Sequence, residues 1–340
     1  MDLDGRTVLV TGGAGFIGSS LVRELLKQNA KVIVFDNMLI GDERNLDDIK
    51  RAIELIIGDI RDENFVNVLL DNEVEFVFNL AAEPYIPHCY ERPTEFFSIN
   101  ANGAMNVILS CKEAGVTRVI QYSTSEVYGT AKYAPMDENH PLNPMSTYAV
   151  SKMAADRLCF TLFREQKVPI ITLRQFNSYG PRETQPYVIP EIITQLANSN
   201  RVKLGNILAR RDFTYVEDAA KAAIELIKNK KAEGQVFNSG FGFDYSIEEI
   251  ANMIGEIMGY DKIEIVVDKA RLRPLDVDRL CCNYFKLHQL TGWRPQIDIE
   301  EGLKRTVDWF LEHGNKWVWE DRTPTEKVWR KSNNNKTNSL

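Results

Sequence analysis

The sequence predicts an α/β fold: a doubly wound parallel sheet with a smaller, partly interleaved C-terminal lobe. Two patterns carry that expectation. Apolar runs of strand length alternate with amphipathic stretches of helix length through the first half, and a cluster of glycines directly follows the first such run. Runs rich in Val, Ile and Phe without polar alternation read as strands buried on both faces, as parallel strands are. A chain of 340 residues also exceeds the size at which single cores usually stop growing, so a second lobe is expected.

The strands are read at Thr7 to Thr11, Lys31 to Asp36, Ile53 to Ile57, Phe76 to Leu80, Arg118 to Tyr122 and Ile170 to Arg174. Between them Ile17 to Asn29, Asn102 to Ala114 and Tyr148 to Phe163 repeat apolar residues at intervals of three and four, the helical period. After about residue 180 the rhythm loosens, with a helix expected over Ile247 to Met258 and a strand over Ile263 to Val267. Residues 1–180 are read as the nucleotide-binding domain, 181–330 as mainly the second lobe, and 331–340, rich in Asn, Ser and Lys, as a tail that frays.

Composition narrows the function. The formal charge is −7 with no long basic stretch, which argues against nucleic acid but leaves room for a polyanionic small ligand held by a few placed arginines. Five cysteines without a CxxC pair fit neither a disulfide scaffold nor a zinc site, so no metal is expected and the compartment reads as reducing. Neither a signal peptide nor an apolar run long enough to span a bilayer is found, and the cytoplasm is the expected location. Asn335-Lys336-Thr337 matches a glycosylation sequon, which carries no meaning without secretion.

Ligands in such sheets lie beyond the carboxyl ends of the strands, so the residues after each strand come next. Thr11-Gly12-Gly13-Ala14-Gly15-Phe16-Ile17-Gly18 follows the first strand and opens a helix. Gly12 and Gly15 allow a tight turn and close approach to a pyrophosphate, Gly18 allows close helix–strand packing, and the helix N-terminus supplies partial positive charge. Asp36, at the end of the second strand, suits the adenosine ribose hydroxyls and favours NAD over NADP. Asn37, Asp59 and Ile60 flank the adenine end, and Leu80, Ala81 and Ala82 set small side chains beside the cofactor.

Tyr148 and Lys152, four apart, share one helix face. An ammonium beside a phenol is expected to lower its pKa, which would make Tyr148 a competent acid or base. The fifth strand ends in Ser123-Thr124-Ser125-Glu126-Val127-Tyr128-Gly129, bringing hydroxyls and a carboxylate to the same edge. Glu126 has no part in simple hydride transfer; it suits removal of a proton from carbon next to a carbonyl, or serves only a helix N-terminus.

Together with Arg174-Gln175-Phe176-Asn177-Ser178-Tyr179-Gly180-Pro181, these segments resemble the extended short-chain dehydrogenase/reductases that act on nucleotide sugars, over about residues 6 to 312. The nearest resemblance is to the nucleotide-sugar 4,6-dehydratases, with 4-epimerases and UDP-glucuronate decarboxylases as relatives. It implies a Rossmann fold, bound NAD, and a transient 4-keto sugar with internal return of hydride, for polysaccharide or glycoconjugate synthesis. In that reading Tyr148 is the base at the 4-hydroxyl, Lys152 holds the nicotinamide ribose, Thr124 orients the hydroxyl and Glu126 takes the carbon-5 proton.

Where the dTDP-glucose dehydratases carry Asp, this chain has Ser125, a version shared with GDP-mannose dehydratases, some UDP-N-acetylglucosamine dehydratases and the decarboxylases. Glu83 resembles a residue of the dTDP-glucose group and either faces the sugar or caps a turn. Asn177, Arg182, Arg211, Arg273 and Asp276 match positions that hold the nucleotide sugar, and the Arg-x-Arg-Pro segment around Arg273 looks more like the UDP-N-acetylglucosamine branch. Arginine suits diphosphate because its fork matches phosphate oxygens and keeps its charge. The resemblance further implies a homodimer through a four-helix bundle; the contrasting reading is a non-catalytic module that senses NAD.

Overall fold

A computed structural model describes residues 2–313. The expected tail at 331–340 and the sequon at Asn335 lie outside the described residues.

The first layer is built from β1 (Thr7–Thr11), α1 (Phe16–Leu26), β2 (Lys31–Asp36), β3 (Ile53–Ile57), α2 (Phe65–Asp71) and β4 (Phe76–Asn79). Two short helices, α3 (Ile86–Cys89) and α4 (Pro93–Phe97), lead through a π-helical stretch, Ser98–Gly103, into α5 (Ala104–Glu113). β5 (Arg118–Thr124), α6 (Thr147–Gln166) and β6 (Ile170–Gln175) complete the run. The second lobe adds β7 (Asn177–Tyr179), α7 (Val188–Leu196), β8 (Arg201–Leu204), β9 (Arg210–Tyr215), α8 (Val216–Ile227), β10 (Val236–Ser239) and β11 (Asp244–Ser246). It ends with α9 (Ile247–Ile257), β12 (Glu264–Val267), α10 (Phe285–Thr291) and α11 (Ile299–His313).

Seven parallel strands form the main sheet in the order β10-β6-β5-β4-β1-β2-β3. β1 pairs with β2 on one side and β4 on the other, so the strand order reverses there and opens a crevice above the carboxyl ends. Helices cover both faces: one core joins α1 and α8 to the sheet through Leu21, Leu25, Ala220 and Ile224, and the other sets Phe65, Val107 and Leu162 against Leu9, Val77 and Val119. β10 returns from the second lobe to pair with β6, so the division at residue 180 does not follow the sheet. The second lobe has its own core, with α7, α9 and α11 packed on a sheet of β11-β9-β7 and a pair of β12-β8.

Most elements fall within a residue or two of their expected bounds, and one differs in kind. The helix expected from Asn102 begins in the wider π turn Ser98–Gly103. A Cβ on Gly103 would stand 2.6 Å from Ile60 Cδ1, so this segment passes close to the loop after β3. The widened turn also aims Asn100 at two other elements: its Oδ1 accepts from Glu83 N at 2.8 Å and its Nδ2 donates to Ser151 Oγ at 3.0 Å. Hydrophobic period alone does not report such a turn, because it depends on a buried polar side chain finding its partners.

All five cysteines are buried free thiols. Among the described residues no helix is long and apolar enough to cross a membrane, and no group of three acidic, His or Cys side chains is placed to hold a metal ion.

Candidate active site

A cleft of about 430 Å³ runs above the carboxyl ends of the main sheet and under the second lobe. At its floor, β1 turns into α1 through the glycine cluster. Gly12 has a φ of 68°, and a Cβ on Gly18 would lie 2.1 Å from the Gly12 carbonyl oxygen, so both positions need glycine. Gly15 is the N-cap of α1; it offers no side-chain cap and the first turn has no acidic residue, leaving an uncapped helix N-terminus facing the cleft. Asp36 closes this end, accepting from Ala14 N at 3.0 Å and Met38 N at 2.9 Å. Burial raises its pKa against those two hydrogen bonds. Asn37 donates to Asp59 at 3.0 Å, and Asp59 is held down to about 2, chiefly by its hydrogen bond with Arg61.

At the other end three segments converge. Ser146 caps α6 by accepting from Ala149 N at 3.1 Å, which fixes the turn carrying Tyr148. The Tyr148 phenol hydrogen-bonds the hydroxyl of Thr124, the last residue of β5. Thr124 Oγ1 in turn accepts from Glu126 N at 3.2 Å and caps the tight turn Ser125–Tyr128. Thr124 therefore joins the helix that carries the phenol to the turn that carries the carboxylate.

The expected lowering of the Tyr148 pKa by Lys152 is not what the structure shows. Lys152 Nζ donates to the Tyr122 carbonyl at 2.7 Å, and burial lowers its own pKa to about 8. Burial raises the phenol of Tyr148 well above its ordinary range, with the Thr124 hydrogen bond opposing. An ammonium tied to a carbonyl of β5 does not pair with the phenol one turn away on its own helix.

On the roof, Arg211 and Arg273 lie 3.6 and 3.8 Å from the same oxygen of Asp276, and both guanidinium groups are within electrostatic reach of Glu126. Asn177 lies on the same wall. The cleft thus brings together Gly12, Gly15, Phe16, Ile17, Gly18, Asp36, Asn37, Asp59, Ile60, Leu80, Ala81 and Ala82 along its floor. Thr124, Ser125, Glu126, Tyr148 and Lys152 follow, with Asn177, Arg211, Arg273 and Asp276 at the far end.

Two expected residues are not brought in. Glu83 accepts from Tyr85 N at 3.3 Å and sits 3.8 Å from Arg92, so it holds the turn after β4 and does not line the cleft. Arg182 adopts a left-handed backbone with φ of 69° and lies within reach of Asp48 and Arg23 beside α1. Conversely, the cleft gains residues that sequence reading missed: Tyr85, Glu183, Gln185 and Tyr187. Tyr85 and Tyr187 meet edge to face at 5.8 Å between ring centroids, a contact across a hundred residues that no local pattern announces.

Several buried polar atoms along this cleft have no hydrogen-bond partner among the described residues: Ser123 Oγ, Gln175 Oε1, Asn177 Oδ1, Ser178 Oγ, Glu183 Oε2 and Gln185 Nε2. Buried polar groups are rarely left unpaired, so a concentration of them in one crevice fits a polar ligand. The uncapped helix end, the glycine floor and the Asp36 carboxylate fit a dinucleotide, and NAD is the cofactor these residues suit.

Fold and site together define an NAD-dependent nucleotide-sugar enzyme of the extended short-chain dehydrogenase/reductase class. Residues 9–306 match the family model described as GDP-mannose 4,6 dehydratase, and the chain belongs to that family. It is 32% identical over 323 residues to human dTDP-D-glucose 4,6-dehydratase, covering 92% of each chain. The solved dTDP-glucose 4,6-dehydratase of Streptomyces venezuelae, with NAD bound, superposes with a TM-score of 0.85 at 29% identity, over 92% of this chain and 99% of that one. The UDP-glucose 4-epimerase of Thermotoga maritima, solved with UDP-glucose, gives a TM-score of 0.83 at 30% identity, over 90% and 99%.

Proposed function

We propose that the protein is a lyase, an NAD-dependent nucleotide-sugar 4,6-dehydratase that converts a nucleotide hexose to its 4-keto-6-deoxy derivative. The observation that carries this reading is Glu126, a buried carboxylate two residues from Thr124 and in the same cleft as Tyr148, where a base for carbon is needed. Gly12, Gly15, Gly18 and Asp36 would hold the dinucleotide, and Lys152 its nicotinamide ribose. Bound NAD supplies a reversible hydride acceptor.

Tyr148 takes the proton of the 4-hydroxyl as a phenolate, a form that burial in the cleft opposes and that the positive charge of a bound nicotinamide would favour, while Thr124, hydrogen-bonded to that phenol, orients the hydroxyl. Glu126 removes the carbon-5 proton, acidified by the adjacent ketone, and passes it to the 6-hydroxyl, which departs as water with Ser125 beside it. Arg211 and Arg273 suit the diphosphate, and Asp276, which both approach, suits a ribose hydroxyl. Mass spectrometry after incubation with NAD and a panel of UDP-, GDP-, dTDP- and CDP-hexoses plus UDP-glucuronate tests the reading. A product lighter by one water supports it; an isomer of unchanged mass, or loss of carbon dioxide, would make the chain an epimerase or a decarboxylase.

We further read the enzyme as a cytoplasmic homodimer. Met105 and Leu109 on α5, with Val150 and Phe160 on α6, are each 38–40% exposed, an apolar set that a second copy of these two helices would cover in a four-helix bundle. Free buried thiols accord with a reducing compartment.

A further inference from the structure

The loop between β7 and α7 carries a group that the scheme above leaves without a task. Glu183 is only 3% exposed and lines the cleft, yet its Oε2 has no hydrogen-bond partner among the described residues. Two residues on, Gln185 is 1% exposed, lines the same cleft, and its Nε2 is likewise unpartnered. A buried carboxyl group without partners is costly to the fold, and an apolar side chain of similar size would serve packing better.

We propose that Glu183 is a specificity-determining residue that hydrogen-bonds a hydroxyl or amide oxygen on the hexose, with Gln185 Nε2 donating beside it. The proposal rests on the nucleotide-sugar reading of the cleft. Desolvation raises the Glu183 pKa, which favours the protonated form that can donate to a sugar oxygen. Its place along the cleft follows from Tyr187, on the same loop, which lies within electrostatic reach of both Glu183 and the reacting phenol Tyr148. The adenosine end, marked by Asp36 and Asp59, is built from the far strands of the sheet, β2 and β3. A site that pairs with a sugar oxygen rejects a hexose lacking it, because the buried donor is then left unsatisfied.

The test compares wild type, Glu183→Gln and Glu183→Leu in full-length protein. Calorimetry gives the affinity for NAD, for UDP-glucose, UDP-N-acetylglucosamine, dTDP-glucose and GDP-mannose, and for UDP, dTDP and GDP alone. The expected result is that Glu183→Leu weakens the preferred nucleotide sugar at least tenfold while leaving the nucleoside diphosphate and NAD within twofold. Glu183→Gln, which keeps a donor, is expected to lose less than Glu183→Leu. Thermal unfolding of the ligand-free protein separates this from a packing role: Glu183→Leu should melt at the wild-type temperature or above it.

Equal affinity of Glu183→Leu and wild type for the nucleotide sugar would overturn the proposal, as would a lowered melting temperature with uniformly weakened binding. Loss of NAD affinity alone would move the contact to the cofactor, and a wild type that binds no nucleotide sugar would overturn the assignment too. Because the readout is binding, a wild type that binds but does not dehydrate would refute the dehydratase reading and leave this one standing.

Discussion

Arg174 grips Asp156 with two hydrogen bonds of 2.9 Å each, Nε to Oδ2 and Nη2 to Oδ1, in a fully buried pair between β6 and α6. Its remaining nitrogen donates to the Tyr128 hydroxyl at 2.9 Å, and that hydroxyl donates to Asn238 Oδ1 at 2.7 Å. Asp156 lies one helical turn beyond Lys152, and Tyr128 ends the turn that carries Glu126. One guanidinium therefore ties the helix bearing Tyr148 and Lys152 to the turn bearing Thr124's neighbours. Replacing Asp156 by Ala leaves Arg174 charged and buried, which is expected to cost about 3–5 kcal/mol in urea unfolding. Replacing both by apolar residues should recover much of that stability without restoring full turnover.

Tyr148→Phe removes the phenol oxygen and keeps the ring that packs edge to face on Phe96 at 6.4 Å. Turnover should fall by roughly 10²–10⁴-fold, the usual range for a lost acid–base group, with NAD affinity within about twofold of wild type. Product assay and cofactor titration on the same preparation check both halves.

Lys152 is lowered from 10.5 to about 8 by burial, so its ammonium deprotonates as pH rises through that value. If the positive charge is what holds the cofactor ribose, kcat/KM should be level below about pH 7 and decline above 8. Lys152→Arg, which stays protonated throughout, should show a lower rate without that alkaline limb. A pH–rate series under saturating NAD measures it.

Placing charge on the apolar face of α5, as in Met105→Glu with Leu109→Glu, should convert the proposed dimer to monomer. Sedimentation velocity reads the change directly. The melting curve should shift little, since each side chain is already 38% exposed in the single chain.

Much of this architecture was legible because its signals are local. The strands Thr7–Thr11 and Lys31–Asp36 are apolar runs, and the glycines and Asp36 sit at strand ends, where covalent sequence already fixes who is near the turn. Tyr148 and Lys152 are related by helix pitch alone. What sequence could not supply were relations between distant segments. Glu83 and Arg182 stand beside residues of the cleft in sequence, yet one is turned to Arg92 and Tyr85 and the other toward Asp48. Tyr187 and Glu183 enter the cleft only because the second lobe folds over the sheet. The partner of Lys152, a backbone carbonyl of β5, has no side-chain signature at all.

The position of β10 has a consequence for how the protein is made. Its strand, Val236–Ser239, forms the outer edge of a sheet whose other members are all complete by residue 175. A ribosome adding about 5–20 residues per second therefore needs roughly 3–13 s more to deliver that edge, during which β6 has an unpaired flank. The α8 helix that shields one face arrives in the same interval. The nascent chain must be kept from pairing with its neighbours until then, and a gene truncated after β6 would yield a client for chaperones rather than a free-standing cofactor module.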